Sequence, residues 1–158
     1  MVRKIILIDS DKCVGCYHCV LACSFAKDGI FSLAKSRNTI FWLYTKRSYM
    51  PMMCQHCAIP PCMEVCRKNA LFRNETTGAV TIDHNLCIGC KLCMIACPLG
   101  GITQDSDSGL MIKCDLCDGD PSCVKHCLYG ALTWLNSEEA AVTIKQKGAR
   151  YVVEAKGK

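Results

Sequence analysis

Apolar positions in this chain come in short bursts, each ended by a turn signal or a polar residue, and no long helical or alternating period is sustained. The first burst, Ile5-Ile6-Leu7-Ile8, stops at Asp9 and has the length of a short strand. Its ending recurs at Ile82-Asp83, 74 residues further on. The turns Thr77-Gly78 and Ser108-Gly109 lead into Ala79-Val80-Thr81-Ile82 and Leu110-Met111-Ile112, which predicts two hairpins. Helices are expected to be brief, over Val20 to Ala26 and Met94 to Cys97, because a loop or turn follows quickly. The segment from Gly29 to Met53 carries the aromatic stretch Ile40-Phe41-Trp42-Leu43-Tyr44 and suggests a strand pair, either packed on the chain or offered to a partner. In the tail, Val142-Thr143-Ile144 and Tyr151-Val152-Val153 around Lys147-Gly148 suggest a further hairpin. The stretch from Ile40 to Tyr44 is far shorter than the ~18 apolar residues of a membrane span, so direct insertion into a bilayer is not expected.

The cysteines explain why the bursts are so short. There are 16 in 158 residues, too many for ordinary usage and enough for cross-links to carry the fold. They fall into four groups of four with none left over. Cys13, Cys16, Cys19 and Cys23 have the spacing C-x2-C-x2-C-x3-C, and Cys87, Cys90, Cys93 and Cys97 repeat it, closed by Pro98. The middle gap widens to four residues in Cys54, Cys57, Cys62 and Cys66, and to five in Cys114, Cys117, Cys123 and Cys127. The flanks repeat too. Ile8-Asp9 through Cys16 matches Ile82-Asp83 through Cys90, with Gly15 and Gly89 at equivalent places, which marks an internal duplication. A small residue and then an apolar one follow three of the groups, at Ala70-Leu71, Gly101-Ile102 and Ala131-Leu132.

Disulfides are one use for sixteen cysteines, but they belong to oxidising compartments. The run Ile5 to Ile8 is too short for a signal-peptide core and no twin-arginine pair precedes it, so a cytoplasmic, thiol-reducing location is expected. Zinc is a second use. Structural zinc sites combine two C-x-x-C knuckles about 15 to 20 residues apart, whereas here four cysteines crowd into one short run. The spacing instead fits [4Fe-4S] clusters: three thiolates in a tight loop grip three corners of a cuboidal core, and the last cysteine of such a run ligates a neighbouring cluster. Four runs then make four clusters, each with three local ligands and one borrowed. A thioredoxin-like role for a single C-x-x-C would need a βαβ pattern, which is missing.

Charge and the remaining polar residues fit this reading. The formal charge of +5 counts every thiol as neutral; four clusters of about −2 each bring it to roughly −3. Lys and Arg form no run, so nucleic-acid binding is not expected. His18, His56, His84 and His126 have no missing cysteine to replace and are expected to pack or hydrogen-bond near clusters. Asp115 and Asp118 suit caps and turns. No nucleophile and base, phosphate loop or substrate site is visible, so the chain by itself is expected to be non-catalytic.

These four groups, with Cys54-Gln-His-Cys57-Ala-Ile-Pro-Pro-Cys62 and Lys113-Cys114-Asp115-Leu116-Cys117, resemble the iron-sulfur subunits of molybdenum and tungsten pterin enzymes, the group typified by the four-cluster electron-transfer chain of dimethyl sulfoxide reductase, across residues 3 to 135. The resemblance implies an α+β fold of duplicated bacterial-ferredoxin-like modules, with short strands and helices around four [4Fe-4S] clusters. It implies a row in which the first run pairs with the fourth and the second with the third. The ligand sets would then be Cys13, Cys16, Cys19 and Cys127; Cys114, Cys117, Cys123 and Cys23; Cys54, Cys57, Cys62 and Cys97; and Cys87, Cys90, Cys93 and Cys66. Residues 1–135 would form the four-cluster domain, as two interleaved halves (13–23 with 114–127, 54–66 with 87–97), followed by the tail 136–158. Its implied partners are a large catalytic subunit carrying a tungsten or molybdenum pterin and a flavin-containing or other electron acceptor. In size the chain is similar to the small subunit of tungsten aldehyde oxidoreductases; relatives also serve formate dehydrogenase, hydrogenase and benzoyl-CoA reductase complexes, and a free polyferredoxin is the alternative. The chain departs from the family pattern after three of its runs, where Ser24, Arg67 and Leu128 stand instead of proline, which bears on local loop geometry.

Overall fold

The computed structural model of the protein describes residues 4–156; Met1 to Arg3, part of the segment in which no export signal is found, and the last two residues lie outside the described residues. Strand β1 (Lys4–Ile8) is the first apolar burst, and it pairs antiparallel with β8 (Leu132–Asn136), Ile6 facing Trp134 and Ile8 facing Leu132. Ile6 and Leu132 are buried on the inner face. This pairing brings the first cysteine run beside the last, since β1 leads into one and β8 leaves the other.

The duplication seen in the sequence is also visible in the backbone. Strands β4 (Leu71–Arg73) and β5 (Val80–Ile82) form one hairpin, and β6 (Ile102–Gln104) and β7 (Met111–Lys113) form another. Both turns close identically: Gly78 N donates to Asn74 O and Gly109 N to Asp105 O, with Asn74 N to Ala79 O and Asp105 N to Leu110 O on the other side. Strands of three residues are too short to stand alone. What lies between the hairpins must hold them.

Helix α1 (His18–Asp28) begins inside the first run and carries Cys19 and Cys23, and α3 (Leu92–Ala96) begins inside the third and carries Cys93, each entered through a residue in the left-handed region, Tyr17 and Lys91. The two helices differ in length for a reason written at the fourth cysteine. Pro98 follows Cys97, and α3 stops at Ala96; Ser24 follows Cys23, and α1 runs on through it to Asp28, which a proline at that place would have prevented. Ser24 is fully buried, its hydroxyl donating to Leu21 O and accepting from Ser32 N, so it also ties down the chain beyond the helix. Helices α2 (Pro61–Glu64) and α4 (Ser122–Lys125), in the second and fourth runs, are single turns with proline at or just before their start.

The segment after α1 makes the strand pair β2 (Asn38–Leu43) and β3 (Ser48–Met53), with Ile40 and Met53 buried and Trp42 packed edge-on against Tyr49 at 4.8 Å. Tyr49 lies on the first cysteine loop. A Cβ on Gly15, whose φ is +71°, would sit 2.6 Å from its ring, and one on Gly89, the duplicated position, would sit 2.5 Å from Gly109 O. Each of these glycines therefore lets a hairpin close down on a cysteine loop.

The tail is not a hairpin. Residues Ser137–Lys156 form one helix, α5. Glu139 reaches back to accept from Asn136 N, a capping-box contact, and the sequence that follows is rich in Ala, Glu, Lys and Gln, whose helical preference outweighs the β-branched pairs and Gly148. Ala140 is fully buried near β1 and β8, and Lys147 pairs with Asp9 and Asp11 ahead of the first run.

Two apolar cores result. One contains Ile6, Val20, Ile40, Met53, Leu116 and Leu132 with Cys19 and Cys123; the other contains Leu71, Val80, Ile102 and Met111 with Cys62 and Cys93.

Candidate functional site

None of the sixteen cysteines is paired in a disulfide. Hydrogen bonds of the backbone decide which runs lie together. Asp9 N, before the first run, donates to Ala131 O, after the fourth, at 2.8 Å; Asp83 N, before the third run, donates to Ala70 O, after the second, at 2.7 Å. The same bond in both copies docks the first run on the fourth and the third on the second.

The thiols follow. Burial, and then repulsion from Cys127, Cys13 and Cys16, pushes the Cys19 thiol up to about 12. Cys13 is raised by burial and by Cys16 and Cys127. Burial and then Cys66 and Cys87 raise Cys93 to about 11. Cys62 is raised by burial, opposed by Lys113, and raised further by Cys54 and Cys97. Cys123 is raised by burial and by Cys114, Cys23 and Cys117. Each of these environments contains the last cysteine of a distant run. Thiols so perturbed are poor places to leave isolated charges and good places for a cation-rich core that binds thiolates.

Two cavities test the fit of a cuboidal cluster. One of about 240 Å³ is lined by Cys66, Cys87, Cys90 and Cys93 with the apolar side chains of Leu71, Ile82 and Met111. The other, lined by Cys23, Cys114, Cys117 and Cys123 with Met53, Leu116, Lys27 and Arg37, measures only about 10 Å³, so a cluster there requires these side chains to move apart. Among the described residues no three Cys, His, Asp or Glu side chains converge closely enough to hold a single metal ion. A cluster separates its thiolates by iron and sulfide, whereas a mononuclear site draws sulfurs to about 2.3 Å from one ion. The donor set and its spread therefore fit clusters.

Backbone amides complete the sites. Gly101 N donates to Cys97 Sγ and Ala70 N to Cys66 Sγ, both at 3.3 Å, while Arg37 N, His56 N and Leu116 N reach Cys23, Cys54 and Cys114 at 3.4 Å. The small residue four places after Cys66 and after Cys97 is thereby explained: its N–H turns back to that sulfur. At Gly101 there is a second reason, since a Cβ there would lie 2.7 Å from the Cys54 Cα. Such N–H···S bonds raise cluster potentials.

Contacts between thiols show which runs meet. Cys19 acts on Cys123, and Cys54 acts on Cys114, so the fourth run meets both the first run and the second. Cys62 of the second run and Cys93 of the third share the second core. The two exposed cysteines are Cys16 of the first run and Cys90 of the third.

Of the other polar residues singled out from sequence, Asp115 caps as expected, accepting from Cys117 N at 2.9 Å, and it also pairs with Lys27. His84 and His126 lie against the carbonyls of Met111 and Ser122. His56 is buried, and its Nδ1 accepts from Val80 N at 2.9 Å. Sequence reasoning missed Lys113, a buried lysine beside Cys114; its place in the motif was visible, its burial was not. No helix among the described residues is long and apolar enough to cross a membrane.

Comparison with known proteins agrees with this site. A family model described as a 4Fe-4S dicluster domain matches residues 45–136, and one described as a 4Fe-4S binding domain matches residues 4–25. The chain is 39% identical over 129 residues to the beta chain of the NADH-dependent phenylglyoxylate dehydrogenase of Aromatoleum evansii, covering 80% of itself but only 29% of that protein's length. It is 39% identical over 122 residues to the polyferredoxin-like subunit of the aliphatic sulfonate oxidoreductase of Pyrococcus furiosus (77% of this chain, 70% of the other). It is 35% identical over 150 residues to the probable anaerobic dimethyl sulfoxide reductase chain YnfG of Escherichia coli (84% and 73%). A solved structure of the active site complex BamBC of benzoyl coenzyme A reductase, as isolated, aligns over 98% of this chain and 97% of its own, with a TM-score of 0.50 and 26% identity. The cofactors of the present chain are four [4Fe-4S] clusters, which its sixteen cysteines and both matching models fit. The chain belongs to the 4Fe-4S dicluster domain family.

Proposed function

We propose that this chain is the electron-relay subunit of an oxidoreductase complex, passing single electrons along a row of four clusters between a catalytic subunit and a redox partner. The ligand sets are Cys13, Cys16, Cys19 and Cys127; Cys23, Cys114, Cys117 and Cys123; Cys54, Cys57, Cys62 and Cys97; and Cys66, Cys87, Cys90 and Cys93. The observation that carries this is the repeated docking of Asp9 on Ala131 and Asp83 on Ala70, which brings each run's last cysteine to its partner run. When bound, each cluster takes up and gives back one electron. The residues around it keep water off the sulfurs, offer backbone N–H groups to them and leave Cys16 and Cys90 at the surface, where a partner's centre comes close.

The catalytic partner carries a tungsten or molybdenum pterin, an aldehyde oxidoreductase being the first choice, and the acceptor is a flavin-containing or other redox subunit in the cytoplasm. Support comes from the oxidoreductase subunits among the relatives, the dimethyl sulfoxide reductase chain above all. Anaerobic purification from the native source tests the proposal. Co-elution with a large pterin-containing subunit is expected, with about sixteen irons per chain. Elution as a lone monomer would favour a free polyferredoxin, and stoichiometric zinc without iron would end both readings.

A further inference from the structure

Among the described residues Lys113 is the one Lys, Arg, Asp or Glu side chain that is buried, at 7% exposure. A buried ammonium is strongly disfavoured unless something answers its charge. No carboxylate does. Nζ donates to the carbonyl oxygens of Val80 and, at 3.1 Å, of Cys114, and the ion pairs found among the described residues use other lysines and an arginine. The Val80 peptide that receives it is itself pinned, its N–H bonded to His56 Nδ1 at 2.9 Å, so the ammonium is held from β5 while its backbone belongs to β7.

The groups that feel this charge are thiols of two different sets. Its two carbonyl contacts lie beside both, since one belongs to Cys114 itself and the other to Val80, which shares the second core with Cys62. Cys114 and Cys62 belong to the two inner members of the row, and Cys114 is also the thiol that Cys54 acts on. Lys113 thus stands where Cys114, packed on the first core, comes near the second core that holds Cys62. An inner cluster has anionic neighbours on both sides, so adding an electron there is opposed twice, while an end cluster is opposed once.

We propose that Lys113 is the built-in counter-charge of the two inner clusters, raising both their potentials relative to the end clusters so that the middle of the row accepts electrons readily. The inference rests on the ligand sets of the proposed function. Reduction adds one negative charge to a cluster, and a fixed positive charge nearby favours that state. At an effective dielectric constant of about 20 and a separation of about 10 Å, Coulomb's law gives about tenfold in the one-electron equilibrium constant, falling with distance toward the ends.

The test is a potentiometric titration followed by EPR on the anaerobically reconstituted full chain, wild type against Lys113→Gln and Lys113→Arg. Gln keeps a donor for the two carbonyls without the charge, and Arg keeps the charge. Cys16→Ser and Cys90→Ser, at the exposed ends, mark which spectral components belong to the end clusters. In Lys113→Gln the two inner midpoints should fall by about 59 mV, the equivalent of tenfold for a one-electron couple. The end midpoints should move by less than half as much, and Lys113→Arg should stay near wild type. A Lys113→Gln protein with full iron whose four midpoints stay in place, or whose end clusters shift as far as the inner ones, would overturn the inference. A wild-type chain that does not bind about sixteen irons would instead overturn the four-cluster reading beneath it.

Discussion

The first core, around Val20, Ile40, Met53 and Leu116, is wrapped by the β1–β8 pair, the β2–β3 pair, the eleven-residue α1 and the twenty-residue α5. The second, around Leu71, Val80, Ile102 and Met111, has two hairpins of three-residue strands and helices of four and five residues. Both halves use the same loop, the same Asp-to-small-residue bond and an amide two residues on that reaches a run's first sulfur, His56 N to Cys54 and Leu116 N to Cys114. They differ in how much apolar surface surrounds the cysteines. The second half comes close to the least protein that can enclose two clusters, so there the inorganic core must supply most of the cross-linking, because metal binding to a site absent from the unfolded chain is folding free energy.

Removing iron is expected to have the largest effect. Anaerobic chelation should cost most of the circular dichroism of the native chain, and hydrogen exchange should show β4 to β7 losing protection before β1 and β8. A protease-resistant iron-free chain with native dichroism would contradict this, and equal loss in both halves would contradict the asymmetry.

A smaller break comes from glycines that face different obstacles in the two halves. In Gly101→Ala the new Cβ meets backbone, Cys54 Cα at 2.7 Å and Cys54 N at 2.8 Å, which has no way to yield. Overpacking of this kind costs about 1–3 kcal/mol, and a lower melting temperature with loss of one cluster's iron is expected. In Gly15→Ala the obstacle is the Tyr49 ring, a side chain that can swing away, which leaves mainly the cost of a positive φ. Its melting temperature should drop less; the reverse order would show that the Tyr49 hairpin is the more rigid lid.

The pH dependence of iron retention sharpens the comparison further. Ligation needs thiolates, while Cys19 and Cys114 are raised to about 12 and Cys93 to about 11 in the iron-free fold. Protons then compete with iron below those values, so retention against a chelator should strengthen as pH rises from about 6.5 to about 8.5 and weaken as it falls. The two cores should show the same slope, because their thiols are protonated throughout this window before iron binds, with the first core's clusters giving up iron at the higher pH. A flat profile would mean that the thiols are already ionised.

The smallest effect is expected at the wrapping itself. Lys147→Ala removes the ion pairs of α5 with Asp9 and Asp11, which are partly exposed. It should lower the melting temperature by less than Gly101→Ala does, with the difference vanishing in high salt and iron content unchanged.

The sixteen cysteines, their grouping, the two hairpins and the short helices could be read from the sequence because spacing and turn residues act locally. Ala70, Gly101 and Ala131 were visible as a repeat, though not the role of Ala70 and Gly101 in turning an amide back to a sulfur. Helix α5 was misread because Val142-Thr143-Ile144 and Tyr151-Val152-Val153 look like strands in isolation, while the contacts that favour a helix, Glu139 to Asn136 and Ala140 near β1 and β8, depend on the fold. The burial of Lys113 was beyond reach for the same reason, since a lysine before a cysteine does not reveal what packs over it. Ser24 is intermediate: the missing proline could be seen, but only the run of α1 through it shows why.

The claim at the centre of this account is that each cluster borrows its fourth ligand from a distant run, and one comparison of variants tests it most directly. EPR and iron analysis of reconstituted Cys66→Ala, Cys90→Ala and Cys57→Ala chains should show Cys66→Ala and Cys90→Ala altering the same spectral component, and Cys57→Ala altering a different one. If Cys66→Ala instead altered the component that Cys57→Ala alters, each run would hold its own cluster and the interlocked arrangement would be wrong.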